Sequence, residues 1–157
     1  MRDQESVHAE EVAGREGAPV FAAALTLVSV SLVGFLLALI FQWPSDFVLG
    51  AEADSRVTPG EDLVAGTVTS IPLVPWLVLV VSALLVRSQR WWGTVAAVVL
   101  TLPGGLVIVG GLGEVTSQNA HVPKAVLVVA GATYALLGLA LLISGALALF
   151  SRVRRRG

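Results

Sequence analysis

The stretch from Trp91 to Glu114 constrains the fold of this chain more than any other part of the sequence. It carries no charged residue before Glu114, and a helix needs about 20 consecutive apolar residues to cross a hydrocarbon core of roughly 30 Å. The stretch therefore predicts a membrane-spanning helix. Pro103, Gly104 and Gly105 lie near its middle. They predict a bend there, because proline removes a backbone donor and glycine adds conformational freedom.

Three further uncharged apolar stretches have a similar length. The four predicted spans are residues 20–41, 65–86, 92–113 and 125–150. Charged residues make up 13% of the chain, against about 25% in a typical soluble domain. We therefore predict an all-α, polytopic integral membrane protein whose four transmembrane helices form a compact bundle.

The segments outside the spans are polar. They comprise an acidic N-terminal tail at 1–19, outer loops at 42–64 and 114–124, and a basic tail at 151–157. The acidic tail lacks the basic start and short apolar core of a secretory signal, so we expect it to be solvated and disordered. In the first outer loop, Thr58, Pro59 and Glu61 match a capping box with a first-turn proline. This match predicts that the second helix begins there.

The arginines predict the orientation. With four spans, both termini lie on one side, which then holds eight of the ten basic residues. The positive-inside rule makes that side cytoplasmic, so we predict a multi-pass protein of the plasma membrane with both termini in the cytoplasm. The residues that we assign as topology anchors are Arg87, Arg90, Arg152, Arg154, Arg155 and Arg156.

Two spans carry regularly spaced small residues. The third span has Gly93, Ala97, Thr101 and Gly105 at four-residue spacing, and the fourth has Gly131, Ala135, Gly138 and Gly145, with its glycines a heptad apart. Small residues allow close approach of helix backbones in membranes. Both rows are therefore interpreted mainly as packing surfaces within the bundle, with association between subunits as the alternative.

Prolines mark a second kind of feature. Pro72 and Pro75 lie in the second predicted span and Pro103 in the third, where each frees a backbone carbonyl. The prolines, with Gly104 and Gly105, are either packed kinks or parts of a moving gate. Hydroxyl side chains at Thr67, Thr69 and Ser70 are expected to help satisfy the freed groups, and Tyr134 in the fourth span must find a partner for its own hydroxyl.

No catalytic constellation is visible. None of the predicted spans contains Asp, Glu, His, Lys or Arg, and the chain has no cysteine. Intramembrane ionisable residues are the usual markers of proton and ion pathways. The candidate metal ligands are Glu61, Asp62, Glu114 and His121 at the outer face. Their spacing matches no metal-ligand motif, so helix capping by Glu61 and Asp62 and headgroup contact by Glu114 are the favoured interpretation.

These features favour a non-catalytic membrane protein with a structural, accessory or regulatory role. Its expected partners are the lipid bilayer and either a second copy or a larger membrane complex, without nucleic acid and without a cofactor. The alternative is a small oligomeric channel or carrier for an uncharged or weakly polar solute.

Overall fold

The computed structural model describes residues 2–43, 60, 63–64, 66–67, 69–88, 91–116 and 122–154, with side chains from residue 17 onward. Its four helices are α1 (Arg2–Phe41), α2 (Leu73–Leu85), α3 (Trp91–Thr116) and α4 (Lys124–Arg154). Three of them contain segments long and apolar enough to cross a membrane, namely Gly17–Phe41, Trp91–Thr116 and Lys124–Arg154. The all-α prediction is confirmed, but α2, with 13 residues, is shorter than a span.

Helix α1 begins far before the predicted span. It runs from Arg2, whereas the sequence predicted a disordered tail over residues 1–19. Helix nucleation is costly but propagation is cheap. A stable apolar helix can therefore extend into an adjoining segment rich in Glu, Gln, Ala and Arg, which are good helix formers.

Helix α1 ends in a Schellman motif. Gln42 has a left-handed backbone with φ 55°, and the amide of Trp43 donates to the carbonyl of Ala38 at 3.0 Å. The Trp43 ring is buried in a cluster with Ala38, Val122 and Leu127. This apolar contact typically accompanies the motif, and it ties the end of α1 to the start of α4.

The second predicted span is interrupted. The helix expected from residue 65 begins only at Leu73, because Pro72 has extended backbone with ψ 151° and disfavours helix in the residue before it. Pro75 falls in the first turn of α2, where a missing donor is harmless. The first α-helical hydrogen bond of α2 runs from the Trp76 amide to the Pro72 carbonyl, at 3.0 Å. The predicted cap at Thr58, Pro59 and Glu61 lies outside the described residues.

Close contacts align the four helices. A Cβ atom added at Gly17 would lie 3.1 Å from the Val86 carbonyl oxygen, and the Arg152 guanidinium donates to the carbonyls of Val86 and Ser88. The start of the Gly17–Phe41 segment and the ends of α2 and α4 therefore lie together. We call this the arginine end, defined by Arg87, Arg152 and Arg154.

Helices α3 and α4 make the most extensive contact of the bundle, through facing glycines. A Cβ atom at Gly104 would lie 2.9 Å from the Gly138 carbonyl oxygen, and one at Gly111 would lie 2.5 Å from that of Gly131. On α3 the contacting glycines are seven residues apart. Within the four-residue row, Gly93 and Thr101 lie close to Arg152 and Gly145 of α4, whereas Gly105 makes only an ordinary contact with Leu142, at 3.9 Å.

Candidate functional site

The described residues 66–67 and 69–72 are non-helical, and we call them the helix break. Gly66 adopts φ +79°, a conformation that favours glycine. Thr67 and Ser70 then exchange backbone hydrogen bonds at 3.0 and 3.3 Å, and their hydroxyls lie 2.8 Å apart. Thr67, Thr69 and Ser70 are all buried. The break is thus a compact turn enclosed by protein.

Helix α1 holds one side of the break. The Thr69 hydroxyl donates to the Gly34 carbonyl at 2.8 Å, and the Ile71 amide donates to the Ser31 hydroxyl at 2.9 Å. A side chain at Gly34 would collide with the Thr69 carbonyl. Glycine at position 34 is therefore required by the approach of the two backbones.

Helix α4 completes the site from the other side. The Tyr134 hydroxyl donates to the Thr69 carbonyl at 2.6 Å. Three separate parts of the chain therefore meet in what we call the hydroxyl cluster. Its members are Ser31, Thr67, Thr69, Ser70 and Tyr134.

Two helices place the break at the same depth. Ser31 lies ten residues before Phe41 in α1, and Tyr134 lies ten residues after Lys124 in α4, which is about 15 Å in each case. Helix α2 covers about 20 Å from the break to the arginine end. The break thus lies at hydrocarbon depth if these helices span a bilayer, and irregular backbone is tolerated there only where protein or a cavity encloses it.

A small cavity of about 100 Å³ opens beside the break. Ser31 and Ser70 contribute its polar lining, and its apolar walls include Phe35 and Trp76. The Trp76 indole donates to the Val28 carbonyl at 3.4 Å, which fixes the ring. The cavity has room for a few water molecules or one small uncharged solute.

The chemistry of the described site is that of hydroxyls and backbone groups. Its polar side chains are serine, threonine and tyrosine, and these hydroxyls form hydrogen bonds with one another or with the backbone. A hydroxyl needs an adjacent base to act as a nucleophile. The arrangement is suited to holding the interrupted helix in place and to binding a neutral polar group.

The predicted proline sites separate in the structure. Pro72 ends the break and Pro75 lies in the first turn of α2, so neither kinks a helix interior. Pro103 does lie inside α3, which continues through Gly104 and Gly105.

The predicted metal residues are only partly described. Glu114 is half-buried in the last turns of α3, and Glu61, Asp62 and His121 lie outside the described residues. Within the part of the chain that the structure describes, no three Asp, Glu or His residues lie close enough to hold a metal ion.

The remaining predicted packing residues lie between helices. Gly93, Ala97, Gly131, Gly138 and Gly145 are buried, and Thr101 and Ala135 are half-buried. Gly145 contacts the Thr101 side chain, whose hydroxyl is turned back to the Ala97 carbonyl at 2.7 Å.

Two basic residues have roles that sequence reasoning missed. Arg152, predicted as a topology anchor, donates to the last carbonyls after α2. Lys124 donates to the Val115 carbonyl in the last turn of α3 at 2.7 Å. Cations stabilise the negative end of a helix dipole. The short link after Val86 was the available signal for Arg152, because it keeps the end of α2 close to the start of α3 and so to the C-terminal end of α4.

The other predicted topology anchors differ from Arg152. Arg87 lies over the Phe21 ring at 5.4 Å, and Arg90, Arg155 and Arg156 lie outside the described residues.

Gly34 was also missed, although a signal existed. It is the single glycine between Val20 and Phe41, and a lone glycine inside a helix often marks close backbone approach.

Comparison with known proteins adds no further assignment, since no protein-family model, curated protein or solved structure significantly matches this chain.

Proposed function

We propose that this chain is a small multi-pass membrane protein with a non-catalytic, structural or accessory role. It associates with a second copy or with a larger membrane complex. In this proposal α1, α3 and α4 cross the bilayer, and α2 with the helix break completes the fourth crossing.

Two glycines on the outer surface of α3 support association most directly. Gly110 and Gly113 are exposed, and a Cβ atom at either would meet no atom of the described residues within 4 Å. Glycine in a helix interior costs about 1 kcal/mol relative to alanine, and no packing contact with the described part of the chain offsets that cost here. Between membrane helices, small residues allow a partner backbone to approach. Gly110 and Gly113 therefore mark the surface where a partner helix is expected.

The test is purification from native membranes in mild detergent through a tag on the C-terminus, with mass spectrometry of what is retained. Wild-type protein should retain a stoichiometric partner or a second copy. Changing Gly110 and Gly113 together to leucine should remove that partner, because the added side chains block backbone approach. Ala132→Leu, on the exposed surface of α4, is the matched control and should retain it. Recovery of the wild-type chain as a monomer would contradict the proposal, as would full retention by the double variant.

We propose that the protein lies in the plasma membrane with the arginine end on the cytoplasmic side. Arg87 and Arg154 are exposed at that end, and basic residues beside a span are retained on the cytoplasmic side.

The helix break supports a second candidate, a channel or carrier for an uncharged solute. Interrupted helices frame the binding sites of many transporters, and here Ser31 and Ser70 line a cavity beside the interruption. Flux of a small neutral solute into liposomes containing the purified protein alone would favour this candidate. If Ser70→Ala abolishes this flux, the solute path runs through the cavity beside the helix break. Flux no greater than in empty liposomes would exclude the channel or carrier function.

A further inference from the structure

A surface groove of about 370 Å³ runs along the outside of α4, where α1 leaves a gap. Its floor is formed by the small residues Ala140, Ser144 and Ala148. Ile143 and Leu147 flank the floor, Ser151 closes the groove, and Pro19 of α1 forms the opposite wall. We call this the α4 groove.

The α4 groove is apolar although it contains two serines. The Ser144 hydroxyl donates to the Ala140 carbonyl at 2.7 Å, and that of Ser151 donates to the Ala148 carbonyl at 3.0 Å. Both hydroxyls are thus bonded to their own helix. A groove of this kind suits a hydrocarbon chain better than a polar solute.

The length of the groove matches one leaflet of a bilayer. Ala140 and Ser151 are eleven residues apart in α4, which corresponds to about 16 Å. Half of a hydrocarbon core of roughly 30 Å is about 15 Å. The groove therefore extends from the bilayer centre to one interface.

A positive charge lies where the groove reaches that interface. Arg154 follows Ser151 by three residues, so it lies on the same face of α4, and it is exposed. Arg155 and Arg156 follow in the sequence. Arg152 and Arg87, by contrast, face the carbonyls after α2 and the Phe21 ring. Arg154 is therefore the described arginine placed to meet an anionic group above the groove.

We propose that the α4 groove binds one anionic phospholipid. An acyl chain lies against Ala140, Ser144 and Ala148, and the headgroup phosphate binds Arg154. A phosphate offers several acceptor oxygens to a guanidinium, and an apolar groove one leaflet deep accommodates the chain. The lipid site rests on the proposed crossing of the bilayer by α4. It is separate from the association surface at Gly110 and Gly113, so loss of the lipid and loss of a partner are distinguishable.

The experiment uses the purified full chain in detergent, with phosphatidylglycerol or phosphatidylcholine added, and native mass spectrometry to count bound lipids. Wild-type protein should retain one phosphatidylglycerol per chain more strongly than phosphatidylcholine. Arg154→Gln should weaken retention of phosphatidylglycerol about fivefold, since one arginine near an anionic lipid is worth roughly this factor. Its retention of phosphatidylcholine should change less, because the choline ammonium of that lipid offsets the charge of its phosphate.

Two further variants test the groove itself. Changing Ala140 and Ser144 together to leucine fills it and should abolish retention of the one strongly held lipid. Arg87→Gln removes an equal charge from the same end, away from the groove, and should retain phosphatidylglycerol like the wild type.

Three results would overturn the proposal. The first is equal retention of the two lipids by the wild type. The second is equal weakening of phosphatidylglycerol retention by Arg87→Gln and Arg154→Gln. The third is a wild-type dimer that the groove-filling variant dissociates without any change in bound lipid, which would assign the groove to a second copy.

Discussion

At the scale of single residues, Gln42 occupies a backbone conformation that suits glycine better. Its φ of 55° costs an ordinary residue roughly 1–2 kcal/mol, because the Cβ atom approaches the following carbonyl. The Schellman motif persists because Trp43 is buried against α4. Packing of one aromatic ring therefore outweighs strain at the preceding residue.

Changing Gln42 to glycine should raise the free energy of unfolding by about 0.5–1 kcal/mol, since the strain is relieved while the motif is kept. Thermal unfolding of the purified protein in detergent measures the effect. Gln42→Ala keeps the Cβ atom and should give no gain. A gain of the same size with alanine would show that the backbone strain is not the cause.

At the scale of elements, the helix break depends on hydrogen bonds from neighbouring helices. The Thr69 carbonyl accepts from Tyr134, and the Ile71 amide donates to Ser31. Buried backbone groups that lack such partners destabilise a fold by about 1–3 kcal/mol each. Neighbouring elements therefore fix the position of the break.

Tyr134→Phe should lower the free energy of unfolding by about 1–3 kcal/mol, because the buried Thr69 carbonyl loses this donor. Thr133→Val is the matched control. The Thr133 hydroxyl donates at 2.7 Å to Val129 of its own helix, and its loss should change stability by less than about 0.5 kcal/mol. Equal losses in the two variants, measured by thermal unfolding, would argue against a special role for the tyrosine.

The sequence predicts these elements to different degrees. Long uncharged stretches identify the three long helices, because length and apolarity alone meet the requirement for a span. The break escapes the same reasoning, since residues 71–86 are almost as apolar as the other spans and the sequence alone does not show whether Pro72 starts the helix or kinks it. Its start is set by Pro72 together with partners at Ser31 and Tyr134, which are distant in sequence. The close contact of Gly104 with α4 was not predicted either, because the four-residue spacing of small residues in α3 indicated Gly105 instead.

At the scale of the whole molecule, the helices are joined at both ends by cations that bind helix carbonyls. Arg152 of α4 reaches the end of α2, and Lys124 of the same helix reaches the end of α3. Helix α4 thus connects the bundle along its full length.

Arg152→Gln should destabilise the protein by about 1.5–3 kcal/mol, the usual value of hydrogen bonds to a charged group. Arg154→Gln, measured in detergent without anionic lipid, removes the same charge from an exposed site and should have little effect. Thermal unfolding distinguishes them, and indistinguishable curves would contradict the role of Arg152 as a cap.

The orientation of the whole bundle is testable with single cysteines, because the chain contains none. In intact cells, a membrane-impermeant maleimide should label Thr116→Cys. It should label Val153→Cys only after permeabilisation, because the proposed orientation places the arginine end in the cytoplasm. Both positions are exposed. Labelling in the reverse order would invert the proposed topology.

The bond between Tyr134 and Thr69 also has a consequence for biosynthesis. The two residues are separated by 65 positions, which a ribosome takes about 3–13 seconds to synthesise at roughly 5–20 residues per second. During that time the Thr69 carbonyl lacks its native donor, and burying it alone in lipid would be unfavourable by several kcal/mol. In the proposed topology, stable insertion of the second crossing therefore waits for the last helix. A chain that terminates before Tyr134 would leave the Thr69 carbonyl without this donor.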